Sequence, residues 1–377
     1  MITTLPRLLA LLLLFSPPAT ALAQVPPGEA ANAIMVEVMA ETPVPAFSGA
    51  VWADGDIAWA QAFGTDNIET GTPARTSHRF RLGSVSKVVT ATLAARLADD
   101  GVIDLDAPIS TWMPDLPEHH RATTLRQLLG HQGGVRHYGR ADFDPTAPGG
   151  IIDRRFYPDS ASALALFIED PLVNEPGTAY AYTTFGYTLA AAVMEAATGE
   201  DFLSLVEAQI TVPLGLDTLG PDRPLQVTPN RVGFYDPIDF VQQRIDATVT
   251  GEVANALDIN PAYKWAGGGF IATPSDLVRF GAGVLGDGFL SEATRTDMFT
   301  NQTLADGEET LVGLGWRIDT DATGRVRYHH AGMQEGARAV LVVYPEHGVA
   351  VALMSNLGGT PQDILGYATR IAEGYLD

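Results

Sequence analysis

From residue 325 to 328 polar and apolar side chains alternate, and His329 and His330 continue the same two faces. Val326, Tyr328 and His330 fall on one face of an extended strand, and Arg325, Arg327 and His329 fall on the other. The pattern predicts a strand with an inner and an outer face, with His330 pointing inward and His329 outward. Further strand-like runs occupy residues 46–52, 57–63, 314–320, 337–344 and 349–355. The first two are joined by Ala53-Asp54-Gly55-Asp56, whose Asp-Gly step is a hairpin signal. Helices are expected over 30–41, 85–97 and 361–375. From about residue 101 to 280 the pattern changes to short helical stretches, at 124–130, 161–169, 184–198 and 202–210, separated by proline and glycine turns.

Strands toward both ends with helices between them predict an α/β fold of the α+β type. One antiparallel sheet, built from both chain ends and flanked by helices, carries a largely helical inserted domain. The expected division is a sheet-containing domain of residues 24–100 and 290–377 and an insertion of residues 101–289. A cleft where the two meet is a common place for a small-molecule site. No internal repeat or low-complexity linker interrupts this plan.

Composition adds bounds. Apolar residues make up 46% of the 377, enough for a well-buried core. Arg7 precedes an apolar run from Leu8 to Phe15, which Pro17 and Pro18 end, and Ala21-Leu22-Ala23 offers a small-x-small cleavage pattern. Residues 1–23 therefore read as a signal peptide, and a periplasmic or secreted location is expected. The run is well short of the ~20 residues that span a bilayer, so no stable membrane anchor is expected. The chain has no cysteine, which excludes disulfides, thiolate metal sites and a cysteine nucleophile. Its formal charge of −22 repels phosphate backbones, so nucleic acid is not an expected partner. Among 23 basic residues only Lys87 and Lys264 are lysines. Arginine stays protonated and cannot serve as a base, so both lysines invite a functional question.

Three short stretches could carry chemistry. In Ser84-Val85-Ser86-Lys87 a serine at a helix start and a lysine three residues on share a face. In a desolvated cleft the lysine loses its proton more readily and can accept that of the serine. The alternative role for Ser84 is a helix cap. Tyr182-Thr183-Thr184 holds a tyrosine that cations could push to titrate below its usual range, or a packed tyrosine beside a threonine cap. His330-Ala331-Gly332 combines an inward histidine with a small-residue step that admits a close backbone approach, or is a core histidine alone. No His-Glu-x-x-His, phosphate loop or Gly-x-Ser-x-Gly elbow occurs. His131 and His137 share a loop and are expected in turn or core roles.

Taken together and in this order, the three stretches resemble the serine beta-lactamase and D-alanyl-D-alanine peptidase superfamily. The flanking residues Phe80-Arg81-Leu82-Gly83, Thr124-Leu125-Arg126-Gln127-Leu128-Leu129-Gly130-His131 and Gly267-Gly268-Gly269-Phe270-Ile271-Ala272-Thr273 are similar to its class C-related branch. His131-Gln132-Gly133-Gly134-Val135-Arg136-His137-Tyr138 and Tyr182-Thr183-Thr184-Phe185-Gly186-Tyr187-Thr188-Leu189 look like the mitochondrial beta-lactamase-like proteins.

The resemblance implies a serine hydrolase without metal or organic cofactor, acting on a small-molecule or peptide acyl donor. Ser84 would be acylated, Lys87 would activate it and Tyr182 would shuttle the proton. His330 would stand where the superfamily's Lys-Thr-Gly places its lysine, and the N–H groups of Ser84 and Met333 would form the oxyanion hole. Thr184 replaces the usual asparagine and His330 the usual lysine, which favours peptides, esters or other amides over beta-lactams. Thr184 and Lys264 are possible cleft residues, Lys264 equally a surface lysine. The alternative is a penicillin-binding sensor or scaffold with little turnover.

Overall fold

Seven strands form one fully antiparallel sheet. In chain order they are β1 (Ala46–Ala53), β2 (Asp56–Asn67), β3 (Thr72–Pro73), β4 (Arg317–Thr320), β5 (Val326–Gln334), β6 (Ala337–Tyr344) and β7 (Val349–Ser355). They lie in the order β3-β2-β1-β7-β6-β5-β4, so an early strand is zipped to the last one, with Val51 opposite Val351. This computed structural model describes residues 25–244 and 250–376. The expected signal peptide lies outside the described residues.

Period-two alternation decides which helix covers which face. Ala46 and Ala50 of β1, Leu341 of β6 and Ala352 and Met354 of β7 belong to the larger core, toward the helical segment. Helix α4 (Pro274–Leu285) packs there against β1, β6 and β7, although it comes from the segment 101–289. Phe47 and Val51, Val340 and Val342, and Val351 and Leu353 face the other way, under α1 (Pro27–Glu41) and α5 (Ile364–Ala372). Both faces are covered, so β6 from Ala339 to Val343 and β7 from Val349 to Met354 are unbroken apolar runs rather than alternating with polar residues.

The predicted hairpin is present. Asp54 and Gly55 both have positive φ, 54° and 81°, between the paired residues Ala53 and Asp56. That matches the two-residue turn whose twist suits flanking strands. The expected strand over 314–320 is shorter: Leu314–Trp316 is irregular and buries both end side chains, and pairing begins at Arg317. The expected strand over 325–330 runs on to Gln334, which carries Gly332 and Met333 into the sheet.

Helix α2 (Ser86–Asp99) is buried on nearly every side, consistent with its Ala, Val, Thr and Leu content. Thr90 Oγ1 donates to the Ala266 carbonyl at 2.7 Å, and Ser86 Oγ accepts from the Phe270 amide at 3.1 Å. The N-terminal half of α2 is thereby fixed to the glycine run 267–269. A small sheet of Phe80–Arg81, Phe270–Ala272 and Gly220–Pro221 strengthens this junction. Within it Arg81, fully buried, meets Asp222 at 2.7 Å and donates to the Glu335 carbonyl at 2.9 Å. Among the described residues no helix is long and apolar enough to cross a membrane.

Candidate active site

Ser84 lies in a single tight turn, Gly83–Val85, that leads from the small sheet into α2. Its side chain makes no capping bond to that helix. It instead meets two groups from elsewhere: Lys87 Nζ is 3.3 Å from Ser84 Oγ, and the Tyr182 hydroxyl donates to Ser84 Oγ at 2.8 Å. Lys87 is one helical turn below, as the spacing predicts. Tyr182 arrives from the loop before helix α3 (Phe185–Thr198).

Lys87 has no solvent exposure. Its amine donates to the Gly267 carbonyl at 2.6 Å and to Thr184 Oγ1 at 3.1 Å. Burial, then the charges of Lys264 and Arg317, hold its pKa well below the usual lysine range. Burial holds Tyr182 above the ordinary phenol range, opposed in part by its bond to Ser84 and by Arg317 and Lys264. The expectation that cations would lower this tyrosine is thus reversed, because desolvation outweighs them. At neutral pH Tyr182 is a phenol and a proton donor.

His330 is buried on the inner face of β5, as its alternation predicts, and its Nδ1 is 2.8 Å from the Ala331 carbonyl. Burial and the neighbouring Lys87 hold its pKa well below 6.5, so the ring is neutral at neutral pH. His329 points to the opposite face, yet it too is buried, with Nε2 3.2 Å from Asp319 Oδ2.

Gly332 and Gly83 bring two backbones together. A Cβ on Gly332 would lie 1.9 Å from the Leu82 carbonyl oxygen and 2.9 Å from the Ser84 nitrogen, and one on Gly83 would lie 2.8 Å from the Met333 nitrogen. Only hydrogen fits at either place. The backbones at Ser84 and Met333 are therefore held close together at the turn that carries Ser84.

Thr184 is buried and serves Lys87 directly. Lys264 is also buried, 4% exposed, so it is a cleft residue rather than a surface one. It lines a cavity of about 560 Å³ together with Tyr138, Tyr263, Phe143 and Met333.

Three contributors lie outside the motifs. His131 Nδ1 accepts from the Thr183 amide at 3.2 Å and its ring packs on Tyr182, while His137 Nδ1 accepts from the Thr184 amide at 3.0 Å. Acceptance requires unprotonated nitrogens. Burial lowers both rings, that of His137 to about 4. The pair fixes the loop that presents Tyr182. From the sequence both histidines are expected in one loop, in turn or core roles, and the stretch 131–138 bears the family resemblance, but neither is expected to take part in the site. The third is Arg317, whose charge acts on Tyr180, Lys87, Tyr182 and His330. No spacing rule links Arg317 to the rest. Among the described residues no group of three or more His, Asp or Glu is placed to hold a metal ion.

This arrangement has relatives. The chain is 26% identical over 404 residues to the mitochondrial serine beta-lactamase-like protein LACTB of Homo sapiens, covering 84% of this chain and 72% of that protein. It is 28% identical to the esterase EstB of Burkholderia gladioli, over 70% of this chain and 71% of the esterase. Among solved structures, SurE superposes with a TM-score of 0.75 at 26% identity, covering 93% of this chain and 76% of SurE. The D-amino acid amidase of Ochrobactrum anthropi SV3 shares the fold, with a TM-score of 0.78 at 21% identity over 92% and 98% of the two chains. The Beta-lactamase family matches residues 31–376, nearly everything the structure describes, and the chain belongs to that family of serine hydrolases.

Proposed function

We propose that the protein is an exported acyl-serine hydrolase that cleaves peptide, ester or amide acyl donors through Ser84. The observation that carries this is Ser84 Oγ held at once by the buried Lys87 amine and the Tyr182 hydroxyl. A neutral amine has two N–H bonds and one lone pair. The Gly267 carbonyl and Thr184 Oγ1 take the two hydrogens, which leaves the lone pair for the Ser84 proton.

The steps follow. Ser84 Oγ attacks the acyl carbon as its proton passes to Lys87 Nζ. The oxyanion sits between the Ser84 and Met333 amides. Tyr182, the phenol next to Ser84 Oγ, protonates the departing amine or alkoxide and is reprotonated from Lys87. Water then attacks the acyl-serine with the same base, and Ser84 regains its proton. Neutral His330 packs beside Lys87 and cannot hold a substrate carboxylate by charge, which supports substrates without a free acid there. Export rests on the leader sequence alone.

Intact-mass spectrometry after mixing with penicillin, a p-nitrophenyl ester and a D-alanyl-D-alanine peptide tests the proposal. At least one should add an acyl group that maps to Ser84 and then disappears with turnover. Ser84→Ala should form no adduct and lose roughly 10³- to 10⁶-fold in turnover. An adduct on Ser86 would overturn it.

A further inference from the structure

Both lysines of this arginine-rich chain border the Ser84 turn: a Cβ on Gly268 would lie 3.7 Å from both the Lys264 Cε and the Gly83 carbonyl carbon. Lys87 and Lys264 are both buried. Lys264 begins the turn that ends in the glycine run: its Cδ would lie 3.5 Å from a Cβ on Gly268, next to Gly267, whose carbonyl holds Lys87. We propose that Lys264 is a positioning residue for catalysis, a second cation that helps keep Lys87 neutral and ready to take the Ser84 proton. This rests on the assignment of Ser84 and Lys87 given above.

Two ammonium groups so placed, with the Arg317 guanidinium also acting on the site, repel one another in a poorly screened space. Arginine cannot release a proton, so the burial and repulsion at this site act on the lysines. The surroundings choose which of the two yields. Lys264 lies against the rings of Tyr263 and Tyr138, at 5.3 and 5.8 Å, and its cavity is also lined by Asp236 and Glu335. Aromatic faces, nearby carboxylates and an open cavity all favour a charged amine. Lys87 faces Ser84 and Tyr182, Thr184 on the α3 side, Tyr187, the neutral rings of His131, His137 and His330, and the cations Arg317 and Lys264. Among the described residues no carboxylate is within ion-pair distance of it. Lys87 is therefore the lysine that gives up its proton: burial does most of this, and the charge of Lys264 adds to it. An arginine-rich chain retains Lys87 because a base must deprotonate. For Lys264 the charge is what counts, so arginine should serve there.

The probe is a fluorophosphonate, which labels an activated serine and needs no knowledge of the natural substrate. Its second-order rate is measured against pH for the wild type, Lys264→Met, Lys264→Gln and Lys264→Arg, with folding checked by circular dichroism. Removing the charge should move the acidic limb upward by about one pH unit, making labelling on that limb about tenfold slower and leaving the alkaline plateau in place. Lys264→Arg should keep the wild-type limb. An unmoved limb in both neutral variants overturns the proposal, as does a loss that is equal at every pH, which would mean a binding or structural role. If Lys264→Met does not fold, the glutamine and arginine variants decide. Ser84→Ala is run in parallel. Labelling that survives in it would reject the assignment of the nucleophile itself, a failure distinct from an unmoved limb.

Discussion

Arginine in place of Lys87 keeps the positive charge but cannot lose a proton at working pH. Lys87→Arg should therefore be as inactive as Lys87→Ala, both down by roughly 10³-fold or more in ester hydrolysis. Near-normal turnover of the arginine variant would make Lys87 a structural charge and leave Tyr182 as the base. At this scale much was readable in advance. Ser84 and Lys87 are one helical turn apart and strand alternation turns His330 inward, so local geometry oriented them, while the family resemblance is what gathered them into one site. The histidines that steady Tyr182 were assigned only turn or core roles, because their bonds to the Thr183 and Thr184 amides join loops far apart in sequence. The state of Tyr182 was misjudged for a different reason. Nearby cations can be guessed from a sequence, but the degree of burial that outweighs them is a property of the packed loop.

Strand β5 works through its backbone as much as through His330. Gly332 lets that backbone lie against Leu82 and Ser84, where an added methyl would be 1.9 Å from the Leu82 carbonyl oxygen. That contact cannot be relieved by turning a side chain, so Gly332→Ala must push β5 away from the Ser84 turn. It should cost on the order of 10²-fold or more in kcat, the scale of losing an oxyanion-hole donor. The check is steady-state hydrolysis of a p-nitrophenyl ester, with folding followed by circular dichroism. A folded alanine variant with unchanged kcat would remove the Met333 amide from the hole. Among the elements, the long strands and the Asp54-Gly55 hairpin were legible because their hydrophobic runs and turn residues are self-contained. Residues 80–81 sit in a stretch, 79–83, that reads as extended before Ser84, but the strands at 220–221 and 270–272 were not legible, since pieces so short have no measurable period.

For the whole molecule, four histidines are held neutral inside the fold: His120 and His137 each lowered to about 4, and His131 and His330 lowered further by deeper burial. An unfolded chain binds protons on these rings below about pH 6.5, while the folded one resists. Stability therefore rises with pH wherever the unfolded state holds more protons, and it is lost as pH falls from about 6.5 toward about 4. Scanning calorimetry should show Tm dropping between pH 7 and pH 5, before most carboxylates titrate. A Tm that stays level over that interval would mean the rings are not buried as neutral groups.

The order of strands in the sheet has a consequence for a chain still being made. Ser84 leaves the ribosome long before β5 brings the Met333 amide, and β1 waits for β7 before its free edge is closed. A nascent polypeptide thus carries Ser84, the proposed nucleophile, without the Met333 backbone proposed to complete the hole, and without the sheet on which that backbone is mounted. On the proposed roles, the site is complete only when synthesis is nearly over, because the last strands are the ones that close it.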